Sequence, residues 1–277
     1  MPELPEVETV CRSLKVHLLG RTITDVKATV SSLRTDVNLP KLKSTCIGQV
    51  ISNIRRRAKY IFVTLSDNNA LILHFGMTGA CRICPVDDPI AKHDRIVWSL
   101  SDNTSWRFVD PRRFGSVQTC PVTALNGDSS PLPQLGPEPL GNQFNGSYLY
   151  DLTRSRTRAI KNLVMDQKFV VGVGNIYANE ALFCASLRPQ RQSGSLSRRQ
   201  CDKLVSAIKA VLTAAIAAGG TTISDFRSPD GTEGHFQVQL QVYGKTNTPC
   251  PNCGDQHPLK RIVIGGRSSF YCPNCQR

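Results

Sequence analysis

The chain has 277 residues, enough to bury a sizeable core and to form two domains. Its 34 Lys and Arg against 21 Asp and Glu leave a net charge of +13, which favours a polyanionic partner because each neutralised phosphate releases condensed counterions. No apolar run approaches the ~20 residues of a membrane-spanning helix, the acidic stretch from Met1 to Thr9 is unlike a secretory signal, and eleven cysteines, an odd number, exclude a complete disulfide framework. These features predict a soluble, cytoplasmic protein.

In chain order, residues 5–19 read as a helix. Pro5 suits the first helical position, and Val7, Val10, Leu14 and Leu18 make one apolar stripe before Gly20. From residue 22 to about 120 the pattern changes to short β-branched and aromatic runs, such as Tyr60-Ile-Phe-Val-Thr-Leu65 and Ile96-Val-Trp-Ser-Leu100. Polar or Gly-containing breaks separate them, as in an antiparallel sandwich or barrel. Residues 131–147 are dense in Gly, Pro and Asn and read as a linker. After it the period is helical. Ser197 and Gln200 form a capping box ahead of Leu204, Ile208, Leu212 and Ile216, and Gly219-Gly220 ends that helix. The tail from residue 242 reads as a small metal-dependent module, giving an expected division into 1–130, 131–147, 148–241 and 242–277.

Cys250-Pro-Asn-Cys253 and Cys272-Pro-Asn-Cys275 are two C-x2-C pairs with eighteen residues between them. Each pair offers two thiolates, and together they supply the four ligands of a tetrahedral zinc ion. Between them, two strand-like runs flank Gly265-Gly266, a hairpin that places Arg267 at its tip. So small a module has little core of its own and depends on its metal. Cys81 and Cys84 form a lone third pair in a strand-like stretch, where alternation sends their side chains to opposite faces and no metal site is expected.

Five blocks occur in order along the whole chain: Met1-Pro-Glu-Leu-Pro-Glu-Val-Glu-Thr9, His74-Phe-Gly-Met-Thr-Gly79, Asp110-Pro-Arg-Arg-Phe-Gly115, Gly172-Val-Gly-Asn-Ile-Tyr177 and the cysteine tail. Together they resemble the formamidopyrimidine-DNA glycosylase family. The resemblance implies an α+β multidomain fold: an antiparallel β-sandwich with an N-terminal helix, a helix–two-turn–helix domain and a C-terminal zinc hairpin. It also implies excision of oxidised purines from double-stranded DNA by a monomer that then cuts the strand at the resulting abasic site. Pro2 would become the N-terminal nucleophile once Met1 is removed, and Glu3 its acid–base partner. Lys59 would assist β-elimination and Arg267 the second, δ, cut. Without the resemblance, proline at position two and acids in a first helical turn are ordinary features, and Lys59 and Arg267 could be plain phosphate clamps.

The resemblance likewise implies that Met77, Arg112 and Phe114 enter the gap left by an extruded nucleotide, and that His93, Arg156, Lys161 and Asn175 contact the DNA backbone. A thioether, a guanidinium and a ring suit filling, hydrogen bonding and stacking in that gap. Gly172 and Gly174 would allow tight turns before a helix whose N-terminus faces phosphate. The polar segment 221–243 would close over the extruded base. Two alternatives stay open on sequence grounds: a sister enzyme preferring oxidised pyrimidines, and a zinc protein that binds DNA without catalysis.

Overall fold

A computed structural model describes residues 2–126, 130–220 and 240–277. The described residues separate into two compact units, one built from residues up to 133 with Gly219 and Gly220, the other from 134–218 and 240–277. Most of the segment expected to cap an extruded base, 221–239, lies outside the described residues.

The first unit begins with helix α1 (Leu4–Leu18), with Pro5 in its opening turn. Strand β1 (Ile23–Ala28) and helix α2 (Leu39–Cys46) follow, then β2 (Ile51–Arg57), β3 (Tyr60–Leu65), β4 (Asn69–His74), β5 (Ala80–Pro85), β6 (Asp94–Leu100), β7 (Thr104–Val109) and β8 (Ser116–Pro121). The strands pair antiparallel in two four-stranded sheets, ordered β1-β6-β7-β5 and β2-β3-β4-β8. Alternation explains the sandwich. Ile54, Ile61, Val63, Leu71 and Leu73 of one sheet join Val26, Ile96, Trp98, Trp106 and Phe108 of the other in a single buried cluster, with the Trp98 and Trp106 rings stacked at 4.2 Å. The predicted stripe of α1 is buried against this cluster. Each such leucine is worth about 2–5 kcal/mol against alanine. Among the described residues the isolated Cys81/Cys84 pair joins no metal-ligand cluster: Cys81 is buried, and burial pushes its thiol up to about 12.

The second unit holds α3 (Gly146–Thr153), α4 (Ile160–Val164), α5 (Asn175–Cys184) and α6 (Arg198–Ala217), then β9 (Pro249–Cys250), β10 (Gly254–Pro258), β11 (Lys260–Ile264) and β12 (Arg267–Tyr271). The capping box forms as expected, with Ser197 Oγ accepting from Gln200 N–H and Gln200 Oε1 accepting from Ser197 N–H. Residues from 134 onward belong to this unit rather than to a bare tether. Phe144 is fully buried among Leu149, Tyr177 and Leu204, and Asn145 caps α3 through Tyr148 N–H at 2.9 Å.

The cysteine hairpin is not a free-standing module. Phe183 of α5 shares a small core with Val242, Leu259 and Phe270. Gln276 ties the end of the chain back by donating to Leu187 O at 2.7 Å and accepting Cys272 N–H at 2.8 Å. Glu180, only 4% exposed, accepts three consecutive backbone N–H groups, of Gln241, Val242 and Tyr243, at 2.7, 3.0 and 2.8 Å.

Candidate active site

Pro2 is partly buried at the start of the first unit, and Glu3 beside it is 2% exposed. The first turn of α1 holds Glu3: its N–H donates to Glu6 Oε2 at 2.9 Å. Glu6 is itself 5% exposed, so a buried carboxylate fixes the backbone next to Pro2.

Lys59 occupies the two-residue turn joining β2 to β3, where Arg57 pairs with Tyr60. Ala58 takes φ 56°, the left-handed conformation normally given to glycine at the first position of such a turn, and is fully buried. That strain has a visible support. Arg56 Nη1 donates to Ala58 O at 3.0 Å, and Arg56 Nε donates to Glu8 Oε2 at 2.7 Å. Burial alone would raise the Glu8 carboxyl, but hydrogen bonds and charge from Arg56 and Arg12 outweigh it and hold the group below its usual range. Glu8 lies on α1, so one clamp joins the helix that presents Pro2 and Glu3 to the turn that presents Lys59. Nothing in the local sequence marks Glu8 and Arg56 as partners; only the pairing of α1 with β2 does.

Two loops supply Met77, Arg112 and Phe114, and both are stitched to one carboxylate. Asp110 is fully buried; its Oδ1 accepts the Thr78 hydroxyl at 2.9 Å and its Oδ2 the Gly115 N–H at 2.7 Å. The loops touch so closely that a Cβ on Gly76 would lie 2.2 Å from Phe114 O. Met77 and Phe114 are 43% and 45% exposed, and the Arg112 guanidinium stands 4.7 Å over the Phe114 ring. Beside them a cavity of about 310 Å³ is lined by Arg34, His74, Gly76, Met77 and Phe114. His74 Nδ1 accepts the Gly76 N–H at 3.1 Å, and burial, with the nearby charges of Arg34 and Lys59, pushes its pKa down to about 4. His93 is partly buried with Nδ1 3.1 Å from Arg95 Nη2. A guanidinium only donates, so Nδ1 accepts and the ring proton sits on Nε2.

In the second unit Arg156 is exposed and lies 4.7 Å over Phe169. Asn175 opens α5, and its Oδ1 is buried without a hydrogen-bond partner among the described residues. Gly172 has φ 81° and needs to be glycine, whereas Gly174 is extended at φ −120° and does not use that freedom. The expectation of a phosphate contact from Lys161 is corrected. This side chain is completely buried, and its Nζ donates to Ser268 O at 2.8 Å and Ser269 Oγ at 2.6 Å. Arg267 is exposed at the start of β12, after the Gly265-Gly266 turn, as expected.

The Sγ atoms of Cys250, Cys253, Cys272 and Cys275 all lie within 4.8 Å of one another, with Cys250–Cys275 and Cys253–Cys272 at 3.8 Å. Four sulfurs about 2.3 Å from a central zinc stand about 3.8 Å apart, so the set fits a closed structural site. Backbone N–H groups of Cys275 and Asn274 outweigh the burial of Cys272 and hold its thiol below the ordinary range, while burial pushes the Cys250 and Cys275 thiols above theirs; the fit to zinc rests on the sulfur spacing.

Fold and site define a class of zinc-bearing, two-unit protein: a β-sandwich with candidate chemistry at its N-terminal helix, and a helical unit with a cysteine-held hairpin. The sequence matches three family patterns: the formamidopyrimidine-DNA glycosylase N-terminal domain over residues 1–117, the H2TH domain of the same glycosylase over 135–227, and the zinc finger found in FPG and IleRS over 248–277. A relative from Stenotrophomonas maltophilia, named formamidopyrimidine-DNA glycosylase, is 46% identical over the full length of both chains. A Lactococcus lactis FPG mutant in complex with Fapy-dG containing DNA has a TM-score of 0.89 and 32% identity, each chain fully covered. The Lactococcus lactis Fpg in complex with an abasic site containing DNA has a TM-score of 0.87 and 31% identity over 99% of both chains. The chain belongs to the formamidopyrimidine-DNA glycosylase family, and its four clustered cysteines hold one structural zinc ion.

Proposed function

We propose that this chain is a bifunctional glycosylase and abasic-site lyase of base excision repair, acting as a monomer on 8-oxoguanine and formamidopyrimidines in duplex DNA. Its relatives' names and their DNA complexes support the substrate class. The observation that carries the chemistry is the frame of the first unit: Glu3 buried beside Pro2, with α1 clamped through Glu8 and Arg56 to the turn bearing Lys59. In this reading residues 1–130 hold the reaction, 148–241 grip the DNA and cap the lesion, and 242–277 present Arg267. The work takes place wherever the DNA is, which in this reading is the cytoplasm.

Removal of Met1 frees a secondary amine on Pro2. An α-amino group titrates near neutral pH, so a useful fraction is unprotonated and nucleophilic. Attack at sugar C1′ expels the damaged base, and cleavage of the C1′–O4′ bond, with the ring oxygen taking up a proton, then leaves an open-chain iminium without an N–H proton, a cation that stays an electron sink at any pH. Glu3 protonates the ring oxygen or moves protons at C2′, a task suited to a carboxyl shielded from water. Loss of the C2′ proton then expels the 3′ phosphate, assisted by Lys59, and Arg267 assists the δ step that expels the 5′ phosphate.

A base inside a duplex is out of reach, so the nucleotide must swing out. Met77, Arg112 and Phe114, held together by Asp110, would fill the gap. Arg156, His93 and the N–H groups at the N-terminus of α5, with the Asn175 amide N–H, would grip phosphates.

Incubation with borohydride and either an 8-oxoguanine or a thymine glycol duplex tests this reading. It expects a trapped adduct chiefly on the first, abolished by Glu3→Gln for the intact lesion more than for a ready-made abasic site. Preference for thymine glycol would move the substrate to oxidised pyrimidines, and binding with no adduct on either would refute catalysis.

A further inference from the structure

We propose that Lys161 is a positioning residue for Arg267, its buried ammonium locking strand β12 to helix α4 from beneath. The inference rests on the reading of Arg267 given above. A fully buried lysine costs desolvation that an apolar side chain of the same volume would not, so what it holds is informative. It holds the two residues that follow Arg267. Nζ donates to Ser268 O at 2.8 Å and to Ser269 Oγ at 2.6 Å, and the Ser269 hydroxyl in turn donates to Arg267 O at 3.4 Å.

Neighbouring contacts complete the cradle. The side chain of Asn162, next on α4, comes so near the hairpin turn that a Cβ on Gly265 would meet it at 2.9–3.2 Å. Asn179 of α5, also fully buried, accepts the Phe270 N–H at 2.8 Å and donates to Asn175 O at 2.6 Å. Residues 265, 268 and 269 are thus held against α4 and residue 270 against α5, the helix that opens at Asn175, while the Arg267 side chain stays exposed. A long exposed arginine that must meet a particular phosphate or proton needs its backbone fixed, since a misplacement of about 1 Å costs up to about a hundredfold in rate.

The two steps of strand cutting separate this role from general stability, because the δ cut is the one assigned to Arg267. In the zinc-loaded full-length protein, Lys161→Met and Ser269→Ala should lower the ratio of δ- to β-elimination product about tenfold, while borohydride trapping at a ready-made abasic site changes less than about twofold. Ser269→Thr, which keeps the hydroxyl, should restore the ratio, and Lys161→Met added to Arg267→Ala should cause no further loss. Equal falls in trapping and δ product, or no fall in either, would overturn the proposal. If Arg267→Ala leaves the δ product intact, the reading of Arg267 is what fails. Hydrogen exchange at residues 268–270 then decides the lock: protection unchanged in Lys161→Met and Ser269→Ala overturns it. Should Lys161→Met not fold, Ser269→Ala carries the same tests.

Discussion

Asp110 offers a severe test of how the gap-filling residues are held. Its two carboxylate oxygens take one hydrogen bond from each loop, and the residue is fully buried. Asp110→Ala removes both charge-assisted bonds and leaves the Gly115 N–H and the Thr78 hydroxyl without their acceptor. At about 1.5–3 kcal/mol per such bond, with partial relaxation, the first unit should lose about 3–5 kcal/mol. Asp110→Asn keeps the shape, and with its oxygen facing Gly115 its amide can donate to a rotated Thr78 hydroxyl, so the cost should be about 1–2 kcal/mol. Urea unfolding followed by tryptophan fluorescence reads this unit specifically, because the chain's two tryptophans, Trp98 and Trp106, are both buried in the sandwich. Affinity for a duplex with an abasic site should fall in the same order. An Asp110→Ala midpoint within 1 kcal/mol of wild type, about the net worth of a single ordinary hydrogen bond, would refute the reasoning. So would an asparagine variant as unstable as the alanine one.

His74 predicts an acid-side loss of stability. Its pKa is about 4 in the folded chain against the 6.5 of an unperturbed histidine, so between these the unfolded chain binds the extra proton. Stability is therefore complete above pH 6.5 and is lost as pH falls towards 4, by up to about 3 kcal/mol, and His74→Gln should flatten that slope in urea titrations. Glu180→Gln turns one acceptor into a donor facing a backbone N–H of residues 241–243; the second unit should lose about 2–4 kcal/mol, read by circular dichroism. A mercurial that captures thiolates should release one zinc per chain. It should expose residues 242–277 to protease while leaving the sandwich tryptophan emission unchanged.

Much of this was legible in the chain. The α1 stripe, the Ser197–Gln200 cap, the Gly265-Gly266 turn and the cysteine pairs are local patterns, and local patterns survive into structure because each satisfies its own backbone. Helix α2 was not read: only Leu42 and Cys46 are buried in it, too few apolar positions to show a period, although Asn38 caps it. The fate of Lys161 was equally hidden. In a chain of net charge +13 a lysine near a glycine turn looks like a phosphate contact, and its true partners lie more than a hundred residues away. Glu8 with Arg56, Asn179 with Phe270 and Glu180 with residues 241–243 are likewise long-range pairs that no spacing rule announces.

Which atom of the protein joins the sugar decides the proposed chemistry. Borohydride-reduced adduct from an 8-oxoguanine duplex, digested and sequenced by tandem mass spectrometry, should carry the deoxyribose remnant on the nitrogen of Pro2, in a peptide that no longer contains Met1. A remnant on Lys59 or any other lysine, or an adduct formed by chains still bearing Met1, would contradict it.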